Sequence, residues 1–234
     1  MAISAEASHR HQLFACWCAP IFTVLTIIGW FGFAQGLMPV PADLGAAATK
    51  DWFVAHQQAT AIGCSIFLIA TGFLSIFIAQ LSVMLAEAER GAPVMAIAQA
   101  GGGYGVVVLV ILSCCLWIGA GYRAEASPDI AVLYNDASWF GFLLGYIALT
   151  VQMLVTAAVG LADKDSWMPR WWSWASVVGG LLLVTANGPA FTQSGPFAFH
   201  GLAAYYLPMV IWAIWLDGTA LLMRRELRRR KAAP

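Results

Sequence analysis

Long apolar stretches separated by short polar connections run through almost the whole chain. A helix needs about 20 mostly apolar residues to cross a bilayer, and six stretches meet this length. We therefore predict an all-α membrane protein: a single domain, residues 1–234, formed by one bundle of six transmembrane helices. The predicted spans are residues 14–37, 59–86, 97–121, 138–161, 171–190 and 199–223.

The composition agrees with a bilayer as the surroundings of the chain. Hydrophobic residues make up 61% of the 234 positions and charged residues 10%, whereas soluble domains have about 25% charged residues. The formal net charge is zero, so we expect no nucleic-acid partner. The five cysteines all fall in apolar stretches without metal-ligand spacing, which favours packing residues over a metal site.

Lysine and arginine are distributed unevenly between the two sets of connections. Ten of the twelve lie on one side, and Lys50 and Arg123 lie on the other. The positive-inside rule then places both termini in the cytoplasm. We predict a bacterial inner-membrane protein with a short cytoplasmic N-terminus, residues 1–13, and a basic cytoplasmic tail, residues 224–234.

The connections on the opposite, outer side are longer and rich in aromatic, amide and histidine side chains. Loops carry function more often than the elements they join, so we place a candidate site at this end. Its candidate catalytic residues are His56, Asn135, Asp136 and His200. A histidine or carboxylate here can accept or donate a proton, while the amide orients a substrate.

Aromatic side chains near these residues can form the walls of an apolar pocket. The candidate ligand-binding residues are Trp52, Trp139, Phe197 and Tyr205. Three interpretations stay open: hydrogen bonding at the membrane interface, contact with a substrate, and ligation of a metal or haem by His56. Residues 194–208 are either a surface anchor or the mouth of the site. We expect His200 to face inward near the outer end of the second or fourth span.

One acidic residue, Asp217, lies inside the last predicted span, about 10 Å from Arg224 along a helix. A carboxylate at this depth is costly unless it is paired, protonated or in contact with water. Gln152 and Tyr104 reach a similar depth, so we predict that the three form a buried polar cluster. The cluster either handles protons or substrate, or it is a structural contact between helices.

The sequence Trp-Phe-Gly-Phe occurs twice, at residues 30–33 and 139–142. Both copies fall near predicted outer ends of spans. Aromatic residues at the membrane interface explain this position. The alternative is a pair of inverted three-helix repeats, as in many transporters.

Several short motifs resemble those of a group of bacterial six-helix membrane proteins that have no assigned activity. They are MPVP at 38–41, YNDASW at 134–139, PRW at 169–171, and SGPFA at 194–198 with Gly201 and Pro208. This resemblance extends over nearly the whole chain and implies the six-helix fold.

A second, local resemblance involves residues 52–56, Trp-Phe-Val-Ala-His, with Gly63 seven positions after the histidine. This stretch is similar to the second-helix region of styrene oxide isomerases. The resemblance implies a trimeric membrane enzyme that holds haem b through His56 and rearranges epoxides to aldehydes. Ile62 stands where that family has an asparagine.

Three functions are consistent with these patterns. The favoured hypothesis is a membrane-embedded binding protein or an isomerase- or cyclase-like enzyme for a small apolar or lipid-like molecule, with an outward-facing site. The others are a non-catalytic subunit of a larger membrane complex and a small proton-coupled transporter that uses Asp217. We expect the lipid bilayer, a small hydrophobic ligand, and further copies or other membrane chains as partners. The cofactor is left open, with haem b as the candidate.

Overall fold

The computed structural model describes residues 4–34, 36–163 and 166–232, and these ranges contain helices but no β-strand. The α-helices in them are α1 (Ala5–Thr26), α2 (Ala46–Glu89), α3 (Val94–Arg123), α4 (Pro128–Leu144), α5 (Tyr146–Ala162), α6 (Arg170–Leu182) and α7 (Leu207–Ala232). A first π segment (Ile27–Phe33) continues α1, and a 3₁₀ segment (Leu183–Ala190) continues α6. A second π segment (Leu202–Tyr206) leads into α7.

Five helical stretches of the described residues are long and apolar enough to cross a membrane: Glu6–Phe33, Ala46–Glu89, Val94–Arg123, Pro128–Ala162 and Leu202–Ala232. The predicted all-α membrane architecture is confirmed at this level, and the predicted number of six spans is not. The difference is the predicted span 171–190, which divides into the 13-residue α6 and the eight-residue 3₁₀ segment. Gly188 and Pro189 in this segment disfavour an α-helix.

Helix α2 is much longer than the predicted second span. It begins at Ala46 instead of residue 59 and has 44 residues, which corresponds to about 66 Å. The hydrocarbon core of a bilayer is about 30 Å thick, so α2 extends well past it. Trp52 and His56 consequently lie on a helix and not in a loop. Residues 46–58 contain no glycine or proline that would disfavour a helix. The polar residues among them interrupt the apolar stretch, so apolar length alone did not predict this part of the helix.

Ionic and cation–π contacts bring the basic segments together at one end of the bundle. The Arg224 guanidinium lies 3.9 Å from the centre of the Trp17 ring, which joins the end of α7 to α1. The side chain of Arg230 forms a 2.6 Å ion pair with Glu87 near the end of α2. The start of α1 and the ends of α2 and α7 therefore lie on the same side of the bundle.

Helices α1 and α2 cross at a contact between two glycines. A β-carbon added to Gly63 would lie 2.5 Å from the Gly29 carbonyl oxygen, and one added to Gly29 would lie 2.8 Å from the Gly63 carbonyl oxygen. Small residues allow helix backbones in membranes to approach this closely. The position of the first π segment against α2 depends on this contact.

We predict that Gly63→Ala lowers the apparent Tm of the purified protein by several degrees, because overpacking costs about 1–3 kcal/mol. Gly72→Ala is the matched control in the same helix, since a β-carbon there meets nothing within 4 Å. Alanine is also the better helix former, so this control should leave Tm unchanged or raise it. Equal Tm values for the two variants would show that the glycine contact does not determine the crossing.

Candidate functional site

Trp30, in the first π segment, is fully buried among aromatic rings from three other helices. The ring centroids of Phe67, Trp117, Trp139 and Phe142 lie 4.5–5.9 Å from that of Trp30. These rings belong to α2, α3 and α4. Trp30 and Trp139 therefore form part of the core, and the prediction that both repeat motifs belong to an interfacial aromatic belt is wrong for these two residues.

The indole of Trp30 also joins the two π segments. Its Nε1 donates a 2.6 Å hydrogen bond to the hydroxyl of Tyr205. The Tyr205 hydroxyl donates in turn to the Gly36 carbonyl oxygen over 2.7 Å. The side chains of Trp30 and Tyr205 are both fully buried. The two hydrogen bonds therefore satisfy polar atoms that water does not reach.

The connection between the first π segment and α2 is attached to residues 200–206 by two further hydrogen bonds. The Tyr206 hydroxyl donates to the Leu37 carbonyl oxygen over 2.8 Å. The Ala42 amide donates to Nδ1 of His200 over 3.1 Å. His200 is half-buried and contacts the residues that precede α2, where it acts as a hydrogen-bond acceptor.

The other candidate catalytic residues have different surroundings. His56 is exposed on α2, where its ring stacks on Trp52 at 4.3 Å and its Nδ1 lies 2.8 Å from the Trp52 carbonyl oxygen. Asn135 is 2% exposed, and its side-chain oxygen has no hydrogen-bond partner in the structure. In the described part of the chain, no hydrogen bond or ion pair joins His56 to His200 or to Asp136. Direct contacts therefore do not assemble these residues into one site.

The four candidate ligand-binding residues also separate into two groups. Trp139 and Tyr205 are fully buried, and the Trp139 ring lies parallel to that of Phe199 at 5.3 Å. Phe197 is 46% exposed and Trp52 is half-buried. The first pair fills the core and the second lies at the surface, so the four do not line one pocket.

The surroundings of His56 do not fit an enclosed haem pocket within one chain. A haem ligand needs a free ring nitrogen directed into an apolar cleft. The Nδ1 atom of His56 is in contact with the Trp52 carbonyl oxygen, which leaves Nε2 free for a ligand, but the side chain is exposed and not directed into a cleft of this chain. A search of the described residues for groups of three or more metal-ligating side chains finds none.

The predicted cluster of Tyr104, Gln152 and Asp217 does not form. The Tyr104 hydroxyl donates to the Ser75 carbonyl oxygen over 3.4 Å, and Tyr104 is 42% exposed. Gln152 is buried against Gly103, and its Nε2 has no partner in the structure. Asp217 instead accepts a 3.2 Å hydrogen bond from the hydroxyl of Thr23. The prediction grouped these three residues because they lie at a similar depth in the membrane. In the structure, each of them contacts a different neighbouring helix.

The Thr23–Asp217 bond lies at one end of an apolar groove between α1 and α7. The groove has a volume of about 190 Å³. Its lining residues are Phe22, Thr23, Thr26, Ile27 and Phe31 from α1 and the first π segment, and Met209, Val210, Trp212 and Ala213 from α7. Ile27 and Val210 are each 55% exposed, so the groove opens sideways at the protein surface. We call it the α1–α7 groove.

Two buried polar atoms on groove-lining residues have no hydrogen-bond partner in the structure. They are the hydroxyl oxygen of Thr26 and Nε1 of Trp212, on residues that are only 5% and 4% exposed. Eleven other buried side-chain polar atoms of the described residues also have no partner in the structure, and no polar atom is exposed to the groove. The two unpaired atoms therefore do not distinguish the groove from the rest of the bundle. Sequence reasoning missed these residues, although Thr23 and Thr26 are polar positions three apart in an apolar span and so share one helix face.

No protein-family model, curated protein or solved structure matches this chain. The resemblances to six-helix bacterial membrane proteins and to styrene oxide isomerases therefore stay predictions. The candidate site rests on geometry, and the α1–α7 groove combines an opening at the protein surface with an apolar lining.

We predict that Tyr205→Phe destabilises the protein by about 2–4 kcal/mol, because it leaves Trp30 Nε1 and the Gly36 carbonyl oxygen buried without partners. Tyr206→Phe is the matched control and should cost about 1 kcal/mol or less, since it removes a single bond in a less buried place. Thermal or denaturant unfolding in detergent measures both. Similar losses for the two variants would contradict the role given to Tyr205.

We predict that His200→Ala increases hydrogen exchange at the Ala42 amide, because that amide loses its acceptor. His56→Ala is the control, since the contact of His56 with Trp52 lies within α2. Hydrogen exchange read by mass spectrometry on the peptide that contains residue 42 tests this. Unchanged exchange in His200→Ala would show that His200 does not hold the connection.

Proposed function

We propose that this protein binds a small apolar or lipid-like molecule, which enters the α1–α7 groove sideways from the bilayer. The observation that carries this proposal is the apolar groove itself, which lies between the end of α1 and α7 and opens at Ile27 and Val210. Small-molecule sites have a predominantly apolar lining. The groove opens laterally, which differs from the outward-facing site expected between the histidines.

The size of the groove indicates how a ligand would fit. Pockets that enclose drug-sized molecules have volumes of about 300–1,000 Å³, and this groove has about 190 Å³. It would therefore hold one end of a ligand, while the remaining hydrocarbon lies against the exposed side chains of Ile27 and Val210. A bilayer lipid or a molecule dissolved in the bilayer suits this arrangement.

The groove supports binding better than catalysis. Its lining contains no histidine and no acidic residue, and Asp217 contacts it through Thr23. An isomerase or cyclase needs an acid and a base in reach of the substrate. None of the candidate residues for these roles, His56, Asp136 and His200, lines the groove.

The orientation in the membrane is part of the same proposal. The basic tail and α1 are in contact on one side of the bundle, and the sequence prediction assigns ten of the twelve lysine and arginine residues to that side. Cytoplasmic loops have this excess. Both termini would then be cytoplasmic in a bacterial inner membrane.

Mass spectrometry of the small molecules that copurify with the protein tests the proposal. Wild-type protein in mild detergent should retain one class of apolar molecule at close to one per chain. Ala213→Phe, which fills the groove, should lower the retained amount about tenfold, which corresponds to ~1.4 kcal/mol. Leu221→Phe is the matched control, because Leu221 lies on α7 outside the groove and is 55% exposed.

Two results would contradict the proposal. One is a retained mixture with the composition of the bulk membrane lipids. The other is the same retained molecule in equal amount in wild type, Ala213→Phe and Leu221→Phe, which would place its site elsewhere on the protein.

A further inference from the structure

We infer that three arginines near the end of α7 bind the phosphodiester headgroup of an anionic phospholipid. They are Arg224, Arg225 and Arg228, and we call them the α7 arginine cluster. This site is separate from the α1–α7 groove and does not depend on the binding function proposed for the groove. The inference starts from one face of α7, which changes from exposed hydrocarbon to positive charge within two turns.

The spacing of the cluster places it on the same face of α7 as Leu221. Positions 221, 224, 225 and 228 follow the i, i+3, i+4, i+7 pattern of a single helix face. Leu221 is 55% exposed, Arg225 and Arg228 are exposed, and Arg224 is half-buried. About 10 Å separates Leu221 from Arg228 along the helix axis. The face therefore joins a hydrocarbon surface to three guanidinium groups, as a phospholipid joins its acyl chains to a phosphate.

The nearby carboxylates pair with other arginines. Glu226 forms ion pairs of 2.8 Å with Arg229 and with Arg230, and Glu87 forms one of 2.6 Å with Arg230. In the described part of the chain, no ion pair involves a member of the α7 arginine cluster. Like charges three and four positions apart on a helix repel each other. A bound anion would remove this repulsion.

Two further acidic residues face this end of the bundle, and neither forms an ion pair with the cluster. Asp217 lies seven positions before Arg224, about 10 Å along the helix, and accepts a hydrogen bond from Thr23. Glu6, on α1, lines a cleft together with Lys231. The charge at the cluster therefore stays positive.

The ring of Trp17 positions Arg224 for contact with a headgroup. The Arg224 guanidinium lies 3.9 Å from the centre of this ring, and Trp17 is 47% exposed. Tryptophan is enriched at the level of the headgroups of a bilayer. A guanidinium that stacks on a ring can still offer the N–H groups in its plane to phosphate oxygens. The stacking thus holds a phosphate donor at the height where the apolar part of α7 ends.

The chemistry of this face favours an anionic phospholipid over other phosphates. A zwitterionic headgroup carries its own ammonium group, which the cluster repels. Free phosphate has the charge but no hydrocarbon to lie against Leu221, and salt screens exposed charges beyond about 8 Å at physiological ionic strength. Basic residues directly after a membrane-spanning helix are typical of contact with anionic lipids.

Native mass spectrometry of the purified full-length protein in detergent tests the inference. The protein is titrated with phosphatidylglycerol and with phosphatidylcholine of the same acyl chains, and the bound lipids are counted. We expect tighter binding of phosphatidylglycerol. Arg225→Gln and Arg228→Gln should each weaken this binding about fivefold. Arg229→Gln is the matched control, because it makes the same change in charge at an arginine already paired with Glu226, and it should leave the affinity nearly unchanged.

Three results would overturn the inference. Equal affinity for the two lipids would remove the preference for an anionic headgroup. A loss in Arg229→Gln as large as that in Arg225→Gln would show that only the overall charge matters. Displacement of phosphatidylglycerol by millimolar inorganic phosphate would show an anion site that does not require a lipid.

Ala213→Phe separates this site from the α1–α7 groove. The substitution fills the groove and should leave the binding of phosphatidylglycerol unchanged, because Ala213 lies in the groove and the cluster does not. Loss of phosphatidylglycerol binding in Ala213→Phe, with normal binding in Arg225→Gln, would place the lipid in the groove and overturn the inference while supporting the proposed function.

Discussion

The hydrogen bond from Trp30 to Tyr205 is the contact on which the arrangement of the first and last helices depends. It joins the two π segments at 2.6 Å inside a cluster of aromatic rings from α2, α3 and α4. π-Helical turns are rare and frequently occur at functional sites. Here they end α1 and begin α7 at the same buried position, so the outer ends of both helices are held against the core.

A second hydrogen bond, from Thr23 to Asp217, joins the same two helices further toward the basic end. The α1–α7 groove lies between these two bonds. Because a hydrogen bond joins the two helical segments at each end of the groove, they stay attached to each other although their side chains leave a gap along the groove. The opening at Ile27 and Val210 is then a consequence of how the helices are attached, and this geometry supports a binding role.

Much of the fold could be predicted from the sequence, because the apolar length needed to cross a membrane is a property of single segments. The start of α2 could not, since Lys50, Asp51 and His56 flank the apolar residues 52–55, and no apolar stretch of membrane length results. The depth of Asp217 was also readable from its distance to Arg224. Its partner Thr23 could not be predicted, because that pairing depends on the register between helices almost 200 positions apart.

The position of Trp30 could not be predicted from the sequence either. An aromatic residue near a helix end fits a membrane interface as well as a protein core. Only the packing of α2, α3 and α4 around Trp30 shows that it belongs to the core.

The most direct measurement is an experimental density map of the protein in a lipid nanodisc at a resolution that shows bound molecules. The account predicts elongated density in the α1–α7 groove, with one end between α1 and α7 and the other end leading into the bilayer between Ile27 and Val210. A groove closed by the side chains of Phe31 and Met209, with no bound molecule in it, would contradict it.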